Sequence, residues 1–119
     1  MYNFTLMELK DLTQAMDRFV TAKGWYQPGT HRPQTPKNLA VSLSIEAAEV
    51  LELFQWSEHL PDSAALAGEL ADVALYLLQL ARVTGIDLEG AVLDKLKINY
   101  SRNWDERPPA EQDRYVEEY

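Results

Sequence analysis

The sequence predicts an all-α protein, a four-helix bundle, on three observations. Four stretches repeat apolar residues with the period of a helix, no run alternates apolar and polar residues as a half-buried strand would, and cap and stop residues fall at the ends of the four stretches. The first stretch follows Thr5-Leu6-Met7-Glu8, a capping-box pattern, places Leu9, Leu12, Met16, Phe19 and Val20 on one face, and meets a stop at Gly24. Lys23 to Pro36 holds two glycines and three prolines beside Trp25 and Tyr26, too broken for a helix and too aromatic for a plain linker, which marks a candidate binding loop. The second helix opens at Thr35-Pro36, a threonine cap before a proline of the first turn, and is expected to run to about Trp56, with Pro61 beyond its end. The third runs from a cap at Asp62 or Ser63 to about Thr84, where Gly85 can take a left-handed stop. The fourth runs from Asp87 to about Asn103. After Pro108-Pro109 the residues are acidic, so the division expected is a helical domain over 1–109 and a tail or short helix over 110–119.

A chain of 119 residues fits one domain, which buries only about two-thirds of the surface its unfolded chain exposes. No window holds the roughly eighteen uninterrupted apolar residues of a membrane span, and Glu8, Lys10 and Asp11 interrupt any secretory pattern near the start, so no membrane partner and a cytoplasmic location are expected. The absence of cysteine removes disulfides, thiolate metal sites and a cysteine nucleophile, and leaves oxygen and imidazole chemistry. A net charge of −8 argues against a nucleic-acid polymer as partner, because backbone phosphates are bound by clustered Lys and Arg. A small anion would have to arrive with a divalent cation.

The acids are not evenly spread. Between Lys37 and Arg82 there is no Lys or Arg, yet the interval holds Glu46, Glu49, Glu52, Glu58, Asp62, Glu69 and Asp72, without the bases that normally support helix acids at i,i+4. On the third helix Glu69, Asp72, Tyr76 and Gln79 fall in one stripe of an otherwise apolar circumference. On the second, Glu46, Glu49, Leu53 and Trp56 share a face with Ser42 and Asn38, opposite Leu39, Leu43, Ala47, Val50, Leu51 and Phe54. Two carboxylate pairs can therefore meet. Brought together they take up protons or bind a cation, and an all-oxygen ligand set points to magnesium, with manganese as a substitute, and away from zinc.

These residues resemble the MazG-like and dCTP-pyrophosphatase-like branch of the all-α nucleotide pyrophosphohydrolases. The resemblance runs from Trp25 to about Asn103. It rests on Thr35-Pro36-Lys37-Asn38-Leu39, Glu46-Ala-Ala-Glu49 followed by Phe54-Gln55-Trp56, Glu69-Leu-Ala-Asp72-Val-Ala-Leu-Tyr76, and Lys95-x-x-x-Asn99. It implies cleavage of a nucleoside triphosphate between its alpha and beta phosphates, with magnesium, to the monophosphate and pyrophosphate. It further implies Glu46, Glu49, Glu69 and Asp72 as metal ligands, Lys95 and Asn99 near phosphate or sugar, and Trp25 and Trp56 flanking the base. One departure is visible: relatives often carry a histidine before Pro-Lys-Asn, where this chain has Gln34 and Thr35 and its nearest histidine is His31.

Other residues carry more than one meaning. Lys95, Asn99 and Arg102 recur at i, i+4 and i+7 and can face a phosphate chain, or form a solvated face where cations suit a helix C-terminus. Trp25 and Trp56 offer stacking surfaces or core filling; Tyr76 can bond a carboxylate, a sugar, or its own surroundings; Glu52 lies at the edge of the acid stripe; His31 and His59 fall in loops. The chemistry expected is attack of water on a phosphorus with a carboxylate taking the proton. The alternative is a non-catalytic helical dimerisation module whose acid stripe binds a basic partner. A di-iron bundle would need Glu-x-x-His pairs, which neither His31 nor His59 completes. A third helix apolar on most sides also predicts a homo-oligomer, a homodimer or homotetramer.

Overall fold

The computed structural model describes residues 8–102, and among them all regular structure is helical. The helices are α1 (Leu9–Ala22), α2 (Pro36–Glu52), α3 (Ser63–Val83) and α4 (Leu88–Ser101). The chain divides into two compact units, Met1–Asp87, which carries α1 to α3, and Leu88–Tyr119, which carries α4. The expected tail over 110–119 lies outside the described residues, and the fourth helix ends at Ser101, slightly before the expected Asn103.

The ends of the helices follow local chemistry. Thr35 caps α2, its hydroxyl accepting from the Asn38 N–H at 3.2 Å, and Asp62 caps α3, its carboxylate accepting from the Ala65 N–H at 3.1 Å. Gly24 and Gly85, past the ends of α1 and α3, have φ of 74° and 72°, a left-handed turn that a residue with a Cβ enters at a cost. At the start of α1 the cap is Glu8, whose N–H donates to Asp11 Oδ2 at 3.1 Å. The expected cap at Thr5 lies outside the described residues.

One boundary differs from expectation. α2 ends at Glu52, and Leu53 to Trp56 form turns closed by i→i−3 bonds, Leu53 N–H to Val50 O at 3.2 Å, Phe54 N–H to Leu51 O at 3.0 Å and Gln55 N–H to Glu52 O at 3.3 Å. No Gly or Pro marks this end in the sequence; the helix tightens into turns of the 3₁₀ kind instead, so the helical spacing expected to carry Trp56 along the carboxylate face does not apply.

In the first unit α3 packs against both α1 and α2. Its buried apolar residues are Met16, Val20, Leu39, Leu78 and Ala81, a small core. On α2 the packed side combines what the sequence separated: Leu39, Leu43 and Val50 are turned inward together with Asn38, Ser42, Glu46 and Glu49, while Ala47 and Leu51 face out beside Val41 and Ile45. Leu12 and Phe19, expected to share the packed face of α1, are exposed although Met16 and Val20 are buried. α3, with mean hydropathy 1.4, is long and apolar enough to cross a membrane by length and composition. Its buried Gln79 is hydrogen-bonded to Gln34 and Tyr26 of the 23–35 loop, whereas in lipid an ionised Glu69 and Asp72 would each cost a few kcal/mol.

Candidate metal centre

α2 and α3 run antiparallel, since Glu46 and Glu49 meet Glu69 near one end of the pair and Gln34, just before α2, meets Gln79 near the other. At the first meeting the carboxylate oxygens of Glu46, Glu49 and Glu69 all lie within 4.8 Å of one another. Their side chains are half-buried because the same side of α2 carries the apolar residues that pack on α3. Glu46 Oε2 and Glu69 Oε2 are enclosed and accept no hydrogen bond. No lysine or arginine lies anywhere between Lys37 and Arg82 to neutralise them.

Three acids in this space cannot all ionise without a counter-charge. The Glu46 carboxyl is pushed up to about 7, first by its hydrogen bond with Glu49, then by burial and by the charges of Glu49, Asp72 and Glu69. Glu69 is raised as well, first by burial, then by a hydrogen bond with Glu49 and the charges of Glu49, Asp72 and Glu52. Enclosed oxygens without donors, in a set of hard ligands with no nitrogen or sulfur, fit a divalent cation of the magnesium or manganese kind. Asp72 is exposed and outside the close trio, yet its charge reaches both Glu46 and Glu69, so it stands at the open side of the cluster.

A pH dependence follows. A carboxyl raised in the folded state favours folding below its unfolded value of 4.5, and that contribution is lost as pH rises through about 7, because the unfolded chain then holds fewer protons than the folded one. Metal-free protein is expected to unfold at a lower temperature at pH 8 than at pH 5, and magnesium to raise the midpoint more at pH 8, where it no longer competes with protons. Thermal unfolding in EDTA and in magnesium at both pH values checks this; a metal-free midpoint that climbs with pH would contradict it.

The remaining expected site residues are placed as follows. Asn38 is half-buried and its Nδ2 donates to Pro33 O at 2.9 Å, so its amide ties the loop to α2. Tyr76 is half-buried on α3, one turn from Asp72. Trp25 is half-buried, edge-on to Phe19 with ring centroids 5.6 Å apart, and the Arg32 guanidinium lies over its ring at 5.3 Å. Trp56 is 89% exposed in the turn after α2, which removes the core-filling alternative. Trp56→Ala is therefore expected to change stability by no more than about 0.5 kcal/mol, where a core tryptophan would lose about 3–5 kcal/mol, a difference urea denaturation resolves. Lys95, Asn99 and Arg102 belong to the second unit, Lys95 and Asn99 on α4 and Arg102 just past its end, with Lys95 and Arg102 exposed and Asn99 half-buried. Glu52 is exposed, and His31 and His59 are exposed in loops.

A polar chain escaped the sequence. Arg82 Nε donates to Asp17 Oδ2 at 2.7 Å, Tyr26 Oη donates to Asp17 Oδ1 at 2.9 Å, and Gln79 Nε2 donates to Gln34 Oε1 at 2.7 Å and lies 3.4 Å from Tyr26 Oη. Gln34 Nε2 in turn donates to Arg32 O at 2.7 Å. The signal available was Gln79 itself, an amide within Leu77-Leu78-Gln79-Leu80-Ala81, which a buried helix tolerates only with partners.

Comparison with known proteins agrees with this arrangement. The MazG-like family model matches residues 41–114, the stretch that contains all the carboxylates of the site. Human dCTP pyrophosphatase 1 is 38% identical over 103 residues, covering 79% of this chain and 58% of the relative; the chain thus spans little more than half of that protein. A dATP/dGTP diphosphohydrolase of Salmonella phage PMBT28 is 53% identical over 38 residues, 32% of this chain and 13% of the relative. Among solved structures, a pyrophosphatase from Archaeoglobus fulgidus superposes with a TM-score of 0.70 at 32% identity, over 88% of this chain and 100% of that one. With the helical hairpin, its facing acid pairs and these matches in agreement, the chain belongs to the MazG-like family.

Proposed function

We propose that the protein is a magnesium-dependent nucleoside triphosphate pyrophosphohydrolase that converts a (deoxy)nucleoside triphosphate to its monophosphate and pyrophosphate, as part of nucleotide-pool house-cleaning. The observation that carries this reading is the trio of Glu46, Glu49 and Glu69 with two enclosed, unpartnered oxygens. Such a cluster relieves its charge by holding protons or a cation, and a cation held there suits a phosphate chain on a protein of net charge −8. The names of the relatives, dCTP pyrophosphatase and dATP/dGTP diphosphohydrolase, support a deoxynucleoside triphosphate.

Glu46, Glu49 and Glu69 would hold the cation, with Asp72 at the open side. When bound, the cation supplies charge neutralisation and polarises a phosphoryl oxygen. A carboxylate at the edge of the cluster is suited to take the proton of the attacking water. Trp25, Asn38, Trp56, Tyr76, Lys95, Asn99 and Arg102 are the proposed contacts for base, sugar and phosphates. A panel of nucleoside triphosphates, dCTP first, incubated with magnesium or manganese and assayed for pyrophosphate and for phosphate, tests this. Pyrophosphate with monophosphate is expected; single phosphates would overturn the bond assignment, and no turnover would favour the dimerisation module.

The assembly proposed is a homodimer or homotetramer. Val41, Ile45 and Leu51 on α2 are 50%, 54% and 69% exposed, and Leu70, Leu75 and Leu77 on α3 are 51%, 45% and 41% exposed, more apolar helix surface than a lone small chain leaves open. Light scattering is expected to return a multiple of 13.6 kDa. A monomer would contradict it.

A further inference from the structure

We propose that Gln79 is a positioning residue for substrate: acting through Gln34, it anchors the C-terminal end of the 23–35 loop where it meets the packed pair α2 and α3. This rests on the nucleotide reading above. The Gln79 side chain is 3% exposed, the one polar residue among the buried residues described, and its amide nitrogen donates to the Gln34 carboxamide across 45 residues of sequence. Burying an amide in an apolar helix is costly, and packing alone would be served better by leucine. What the amide provides is direction. Arg32 O accepts from Gln34 Nε2 and thereby turns Gln34 Oε1 toward Gln79; the second N–H of Gln79 faces Tyr26 Oη, which spends its own proton on Asp17, and Asp17 is held by Arg82. The bonds run in sequence from Arg82 and Tyr26 on Asp17 to Gln79, Gln34 and Arg32 O, so the loop is tied to α1 and α3 by one connected set.

The place of this anchor gives it a consequence for binding. Asn38 lies eight residues before Glu46 on α2, so the loop end it holds through Pro33 O is roughly 12 Å along the helix from the carboxylates. On α2 the half-buried Ser42 lies between them in register, and Tyr76 is half-buried on α3 between Asp72 and Gln79. A nucleotide with its phosphates at the carboxylates and its nucleoside laid along this stripe reaches the loop that carries Trp25. An anchored loop meets it already ordered, so the entropy of ordering is not taken from binding.

The test is steady-state kinetics on Gln79→Leu, Gln34→Ala and the double variant, with the triphosphate that the wild type hydrolyses. Each single variant is expected to raise KM about tenfold while kcat stays within about threefold, and the double variant to raise KM no further than either single one, the non-additivity of residues acting as one unit. In ligand-free protein, amide hydrogen exchange over residues 24–34 should quicken in both single variants, with α2 unchanged. An active wild type beside an unchanged KM in Gln79→Leu, or additive effects in the double variant, overturns the proposal alone; faster exchange with unchanged KM does so too, by making the contact merely structural. A wild type that hydrolyses no triphosphate overturns the functional reading and takes the proposal with it. Should Gln79→Leu fail to fold, Gln34→Ala, altered in the loop, carries the same comparison.

Discussion

Glu49→Gln is expected to lower turnover by about a hundredfold, some 2.7 kcal/mol of transition-state stabilisation, while leaving the fold intact. Glu49 is the hinge of the cluster, its carboxylate lying within 4.8 Å of those of Glu46 and Glu69 and helping to raise the pKa of both. Removing its charge would subtract one ligand from the proposed cation site and relieve the repulsion among the acids that remain. The metal-free variant should therefore melt no lower than the wild type at pH 8, and its midpoint should vary less with pH. Paired measurements of kcat and of the unfolding midpoint in EDTA check both halves. More than a tenth of wild-type activity, or a fall in the metal-free midpoint, would remove Glu49 from the metal site.

Leu39→Ala is expected to be the costliest of the conservative core substitutions. Leu39 is 2% exposed in the first turns of α2, in the small core that also holds Met16, Val20, Leu78 and Ala81. Truncation of such a leucine loses about 3 kcal/mol, within a range of about 2–5, from transfer of the side chain and the cavity left behind. Against a total stability of about 5–15 kcal/mol this is a large fraction. The denaturant midpoint should fall with the slope unchanged; a loss under about 1 kcal/mol would mean that the contacts around Leu39 re-form without it.

The sequence made most of this hairpin legible, because its punctuation is chemical. Thr35, Asp62, Gly24 and Gly85 act at the positions their side chains or their lack of one suggest. The acid pairs were legible through spacing and through the missing bases. The end of α2 was not, since tightening into i→i−3 turns needs no special residue. Nor was the sidedness of α2: the helix buries its carboxylates and Leu39 on one side, and periodicity assigns polar and apolar residues to opposite sides whenever a buried polar site breaks that rule. The Gln34–Gln79 contact was out of reach for a third reason. A helical period identifies which residues share a face, but not which loop folds back onto it.

The early end of α2 has an electrostatic consequence of its own. Glu49 stands in the final turn of a helix that stops at Glu52, with Glu46 one turn before. There the run of fully aligned peptide dipoles ends, and the i→i−3 turns over Leu53 to Trp56 carry the negative pole on only in poorer alignment. This field works with the carboxylates, making a proton harder to release from an empty site and a cation easier to capture. Had the α-helix continued to Trp56 in full alignment, as its apolar pattern invites, more of the negative pole would lie beyond Glu49 and its pull on a cation at the cluster would be weaker. The length of α2 would in this sense contribute to the affinity of the proposed cation site, through backbone carbonyls that no substitution at Glu46, Glu49 or Glu69 would reveal.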